Sequence, residues 1–152
     1  MEIIYRIAST KDSSEIARLS GQLGYNVEEN QVIERLNKIL VQKDTVVVVA
    51  EFKDKLIGWI HAHGRYLIES PPYIEIGGLI VDSNFRGLKI GKILVEKCEE
   101  WSKLSGFKEI RVRANEIRFE TLNFYKKIGF ENIKSQKVFK KKLLGNNKKL
   151  SN

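Results

Sequence analysis

The chain has a single cysteine, Cys98, and two prolines, the adjacent Pro71 and Pro72. One thiol excludes an internal disulfide and therefore the small secreted scaffold held by crosslinks. A reducing compartment, the cytoplasm, is the expected setting. No apolar run approaches the ~20 residues that cross a bilayer. Met1 to Arg6 has neither the basic flank nor the apolar stretch of a secretory signal. Acidic residues stop at Glu131. Seven of the 27 Lys and Arg lie beyond that point, so 20 cations face all 19 carboxylates in the body of the chain. The formal net charge of +8 is thus a property of the C-terminal stretch. A nearly neutral body with no helix-turn-helix, zinc or basic–aromatic motif excludes a nucleic-acid reader as the first expectation. His61 and His63 stand two apart without a third ligand, which predicts no metal site.

What remains is a 152-residue chain of ordinary globular composition, 42% hydrophobic and 30% charged. Ile3 to Ile7 reads as a strand. Thr10 is the expected cap of a helix carrying Ile16, Leu19 and Leu23, stopped by Gly24. Val27 to Leu40 repeats helical spacing. Thr45 to Glu51 is a β-branched run and reads as a strand buried on both faces. Leu56 to Arg65 returns from it. Tyr66 to Pro72 reads as a loop, because prolines cannot donate to a ladder. Strands over Tyr73–Val81 and Glu109–Ala114 and helices from Ile90 to near Gly106 and from Phe119 to Ile128 complete the pattern. Two short strands are predicted between Phe130 and Leu143, and residues 144–152 read as a disordered basic tail. The order is a mixed α/β domain, with helices covering a sheet.

Two segments carry chemistry. After the Tyr73–Val81 strand, Arg86-Gly87-Leu88-Lys89-Ile90-Gly91-Lys92 is a glycine-punctuated turn opening a long amphipathic helix. Such a turn leaves unpaired N–H groups at the positive end of a helix dipole, a place for phosphate. The second, Phe124-Tyr125-Lys126-Lys127-Ile128-Gly129-Phe130, sets a tyrosine on a helix just ahead of its glycine stop. Cys98 falls on the apolar stripe of its helix and reads as a packing residue.

These two segments at this separation resemble the GNAT superfamily of acyl-CoA-dependent N-acyltransferases. Its pyrophosphate signature, Gln/Arg-x-x-Gly-x-Gly/Ala, is similar to Arg86 through Gly91, with Lys89 where the family keeps a central glycine. Its Phe-Tyr-x-x-x-Gly-Phe signature is met by Phe124, Tyr125, Gly129 and Phe130. The resemblance implies a central mixed sheet of about six to seven strands with about four helices, splayed at the cofactor cleft. It implies acetyl-CoA as co-substrate and direct transfer of its acetyl group to a primary amine, over a domain of residues 1–143. A catalytically inactive acyl-CoA-binding module is the alternative, and a homodimer is an assembly common in the family.

The resemblance also distributes roles. The freed backbone groups of Leu79 and Val81 bond the pantetheine arm, with the Leu79 N–H facing the thioester oxygen and Ile80 between them also cofactor-binding. Arg86, Gly87, Leu88, Lys89, Ile90, Gly91 and Lys92 cradle the diphosphate, and Asn115 and Arg118 touch the cofactor. Tyr125 is the expected acid for the departing thiolate. Glu75, expected to share strand parity with Leu79 and Val81, is the candidate base, with His61, His63 or water left open beside it. Glu28, Glu29, Glu69, Glu75, Glu116 and Glu120 are expected to make the acceptor side acidic and suited to a cationic amine.

Overall fold

Five strands and four helices follow from these patterns in a computed structural model that describes residues 1–114 and 118–145. The strands are β1 (Ile4–Ile7), β2 (Thr45–Phe52), β3 (Lys55–Leu67), β4 (Ser70–Val81) and β5 (Ile110–Val112). The helices are α1 (Ser13–Gly21), α2 (Glu29–Ile39), α3 (Ile90–Leu104) and α4 (Phe119–Lys127). The sheet keeps chain order, β1-β2-β3-β4-β5; every pair is antiparallel except β4 with β5. β2 is buried on both faces because its β-branched residues serve two cores. Val46 and Val48 pack with Ile60, Ile74 and Leu94 under α3. Val47 and Val49 pack with Ile16, Leu19, Val32 and Leu36 under α1 and α2. Helices on both sides thus remove the sheet from water.

Four expectations are corrected. The sheet has five strands among the described residues, not six or seven, since Phe130 to Leu143 forms none. That segment is rich in lysine, and Val138, Phe139 and Leu143 lie 83–90% exposed, so these side chains bury no face against the sheet. Tyr66 to Pro72 is not a loop. β3 runs to Leu67 and β4 begins at Ser70; an irregularity between Arg65 and Leu67 gives β4 an extra residue there, which takes its prolines out of the ladder.

The first helix begins at Ser13 rather than after Thr10. A 3₁₀ turn, Thr10–Asp12, precedes it, because the Asp12 carboxylate accepts the Ser9 N–H at 2.9 Å and both Arg6 nitrogens at 2.9 and 2.7 Å.

The fourth correction matters for function. His61 pairs with Gly78 and Ala62 with Ile76, so Gly77 is an extra residue in β4. Strand parity inverts across such a bulge. Ile74 and Ile76 before it, and Leu79 and Val81 after it, all pack into the α3 core. Glu75 therefore shares its face with Gly78 and Ile80, not with Leu79 and Val81.

Candidate active site

β5 pairs only with Ile74, Glu75 and Ile76. Beyond them, β4 continues alone along that edge. The Asp82 N–H donates to the Ile57 carbonyl on β3 at 2.8 Å. Backbone groups alternate along a strand, so those of Val81 and Leu79 point the other way, into the gap past β5. The gap opens into a cleft of about 1630 Å³. Ordinary small-molecule pockets hold about 300–1,000 Å³; this one has room for a long ligand and a second reactant. Leu79, Ile80 and Val81 line it on one side, with Val112, Arg113 and Ala114 on the other.

The turn before α3 is built to leave donors free. Asp82 is 5% exposed; its carboxylate accepts the Asn84 N–H at 3.0 Å and lies 3.4 Å from Arg18 and Gln22 of the α1 end. Burial works against that carboxylate, and these donors more than offset it, holding its pKa below the ordinary value. Gly87 then turns with φ 81°, where a side chain would strain the backbone. The first intrahelical bond of α3 runs from the Ile93 N–H to the Lys89 carbonyl at 3.0 Å. The N–H groups of Ile90, Gly91 and Lys92 have no helical partner and lie at the dipole's positive end. Arg86, Gly87, Lys89, Ile90, Gly91 and Lys92 all line the cleft; Leu88, 45% exposed, does not. Gly91 also seats the helix, since a Cβ there would stand 3.3 Å from Phe124 and 3.6 Å from Val81.

Lys89 takes the left-handed conformation, φ 63°, that a glycine would adopt freely. This costs about 1–2 kcal/mol, and it keeps an ammonium beside the free donors. We expect Lys89→Glu to weaken CoA binding about tenfold by calorimetry, with Tm nearly unchanged; equal affinity would place residue 89 away from the phosphates.

Tyr125 owes its position to the way α4 ends. The Phe130 N–H bonds the Tyr125 carbonyl at 2.9 Å and the Gly129 N–H bonds Lys126 at 3.2 Å, with Gly129 at φ 101°. This pair of bonds is a Schellman stop, in which the residue after the glycine packs on the residue four before it. The Phe130 and Tyr125 rings meet edge-on at 5.4 Å, and Phe124 meets Tyr125 at 5.1 Å. The Phe-Tyr-x-x-x-Gly-Phe spacing is thus a lock on one tyrosine, whose ring is 9% exposed and lines the cleft. Burial pushes its phenol up to about 12, so it is a proton donor throughout the neutral range.

The remaining candidates divide. Glu75 is 9% exposed and outside the cleft lining. One oxygen accepts from Arg113 Nε at 2.9 Å; the other lies 3.7 Å from His63 and 3.9 Å from Arg65. His61 does line the cleft. Burial first, then His63, lowers its pKa below the usual imidazole value, and its Nε2 is buried with no hydrogen-bond partner among the described residues. Arg118 lines the cleft at the start of α4; Asn115 and Glu116 lie outside the described residues. Of the six glutamates expected to make an acidic acceptor side, Glu120 alone lines the cleft among the described residues. Glu28, Glu29 and Glu69 fall on exposed helix and strand ends, and Glu75 is turned to its arginine.

Trp59 escaped the sequence reading. Its ring lies over Gly78, where a Cβ would come within 2.8 Å of it, and the Gly77-Gly78 pair was the available signal.

The cleft suits CoA on three counts: strand amides open to a linear arm, free helix-start donors, and three cations for phosphates. Residues 12–130 match the acetyltransferase (GNAT) family model. An uncharacterized N-acetyltransferase of Methanocaldococcus jannaschii is 31% identical over 85 residues, 55% of this chain and 38% of that protein. The alignment therefore spans well under half of that relative's length. A GNAT family acetyltransferase of Staphylococcus aureus superposes with TM-score 0.74 at 26% identity, covering 94% of this chain and 100% of that one. An aminoglycoside N-acetyltransferase in complex with CoA gives 0.83 at 18% identity, over 93% and 96%.

Proposed function

The chain belongs to the GNAT acetyltransferase family, and we propose that it transfers the acetyl group of acetyl-CoA directly to a primary amine. The observation that carries this is the alignment of one cleft: free β4 amides, the open start of α3 and the locked Tyr125 all border it. Bound acetyl-CoA supplies an acyl carbon activated by its thioester. Leu79 and Val81 hold the arm through their backbone, with Ile80 lining the cleft between them. Arg86 to Lys92 take the diphosphate, with Leu88 as spacer and Arg118 and Asn115 as further contacts. The Leu79 N–H donates where negative charge builds on the acyl oxygen. Tyr125 gives its proton to the departing sulfur. Holding both reactants in one cleft supplies part of the rate. No metal enters this scheme.

Glu75 belongs to the same scheme as a carboxylate fixed behind the histidines by Arg113. Residues 1–143 are the proposed catalytic domain. The exposed Val138, Phe139, Leu143 and Leu144 make a homodimer the proposed assembly, which light scattering reads directly. A cytoplasmic enzyme without nucleic-acid or membrane partners fits the single cysteine and the near-neutral body. Among the described residues no helix is long and apolar enough to cross a membrane. An inactive binding module has no use for a locked, protonated phenol at the cleft.

Calorimetry on the full chain tests the reading first. CoA and acetyl-CoA should bind within the micromolar to millimolar range of ordinary substrates, about 1 μM to 1 mM, and a panel of primary amines should then release free thiol. No uptake of either ligand at millimolar concentration overturns the proposal.

A further inference from the structure

We propose that the part of the cleft walled by α2 and the Trp59–His61 edge of β3 is the acceptor subsite, that it takes a primary amine on an apolar body carrying at most one positive charge, and that His61 takes the proton from that amine. This rests on the acetyltransferase reading above.

The composition of the wall gives the substrate class. Leu23, Tyr25, Val32, Leu36, Ile39 and Trp59 line it with apolar or aromatic surface, and Arg35 is the charge that α2 adds. Glu120, on α4, is the one carboxylate in the cleft lining among the described residues. A cation removed from water needs an anionic partner. A polyamine or aminoglycoside would bring several cations to a wall that offers none and adds a guanidinium. A monoamine on an aromatic or aliphatic body instead covers Trp59 and the leucines. Its one ammonium is displaced toward the neutral form by that apolar setting.

His61 is placed to complete the step. It sits opposite Gly78 in the ladder, one residue from Leu79, and its Nδ1 is 3.4 Å from where a Cβ of Gly77 would stand. The missing side chain lets the ring lie over the bulge, at the point where β4 is free of β5. Its buried Nε2 has no hydrogen-bond partner among the described residues, which is unfavourable for a polar atom withdrawn from water. His61 lines the cleft, so a turn of its ring would bring Nε2 to a ligand N–H and satisfy it. The rival base, Glu75, has its carboxylate on Arg113 and His63 and lies outside the lining. His63 lies beside His61 on β3, ring centroids 5.6 Å apart, with Glu75 of β4 3.7 Å from His63; Arg35 on α2, Arg113 just past β5, and Glu120 and Tyr125 on α4 line the same cleft. With burial, His63 keeps the imidazole unprotonated at neutral pH.

Atoms balance as follows. The ammonium gives one proton to Nε2 of His61, and the freed lone pair forms the C–N bond. The C–S bond breaks with its electron pair on sulfur, which takes the Tyr125 proton. The second nitrogen proton, lost as the amide forms, restores Tyr125 through solvent, and His61 releases its proton to water. One proton leaves per turnover.

Wild-type protein is assayed for thiol release from acetyl-CoA with 2-phenylethylamine, hexylamine, spermine and kanamycin. The monoamines should exceed the polycations in kcat/KM by about tenfold or more, and Arg35→Glu should narrow that ratio. Spermine or kanamycin as the better acceptor overturns the substrate class. His61→Gln should lower kcat about 10²-fold, abolish the rise of kcat/KM with pH below the ordinary imidazole range, and leave CoA affinity within about twofold. Retention of that rise in His61→Gln, or its loss in Glu75→Gln alone, overturns the base.

Fluorescence gives a readout independent of turnover. 2-Phenylethylamine should quench the CoA-loaded wild type and not Trp59→Phe. Quenching without transfer to any amine counts against the acetyltransferase reading and leaves the subsite standing. Transfer without Trp59 quenching does the reverse.

Discussion

Tyr125→Phe should lower kcat by about 10²-fold or more while CoA affinity stays within about twofold, because one proton donor is removed and nothing else. The Schellman stop uses the backbone of Tyr125, and both edge-on ring contacts survive in phenylalanine. Tm should therefore move little. Thiolate departure should slow in particular, so acyl donors whose thiol leaves more readily should narrow the defect. Burial holds the phenol at about 12. As an acid it stays competent up to that pH, so no alkaline loss of wild-type activity near pH 9 is expected from this group. An unimpaired kcat in Tyr125→Phe would remove the phenol from the chemistry.

Gly58→Val should destabilise the protein by about 3 kcal/mol, the upper end of ordinary overpacking. Gly58 is buried on β3 beneath α3. A Cβ there would stand 3.0 Å from the Ile80 carbonyl, 3.1 Å from Leu94 and 3.4 Å from Ile90. The carbonyl belongs to β4 and cannot rotate away as a side chain could, so the helix must lift. For a domain of this size, about 2–4 °C of Tm per kcal/mol gives a fall of roughly 6–12 °C. Lifting α3 at Ile90 moves the start of the helix, so CoA affinity should fall as well. Calorimetric melting and CoA titration of one sample read both effects; a wild-type Tm would show that the sheet yields at Gly58.

Local signals were legible in the sequence and long-range ones were not. The helix stop at Gly129, the buried β2 run and the turn into α3 each depend on neighbours within a few residues, and each stands where its pattern put it. The Gly77 bulge depends on which residue of β3 faces it, which period-two alternation cannot show; that is why Glu75 was assigned the face of Leu79. The start of α1 was displaced by Arg6, whose guanidinium binds Asp12 from another element. Phe130 to Leu143 reads as two short strands, but its few apolar residues do not alternate and most stay exposed, so nothing holds it to the sheet. Trp59 reads as one more apolar residue in β3; Gly78 beneath it is what gives its ring a place.

Cys98 is completely buried, and its thiol is pushed up to about 12, chiefly by burial. A thiol that does not ionise does not react with disulfide or maleimide reagents at working pH. Colorimetric titration of liberated sulfhydryl can therefore run continuously in the same cuvette as the folded catalyst, with no blank for the polypeptide. Alkylating agents should likewise leave turnover intact, until heat or denaturant uncovers the helix that hides the sulfur.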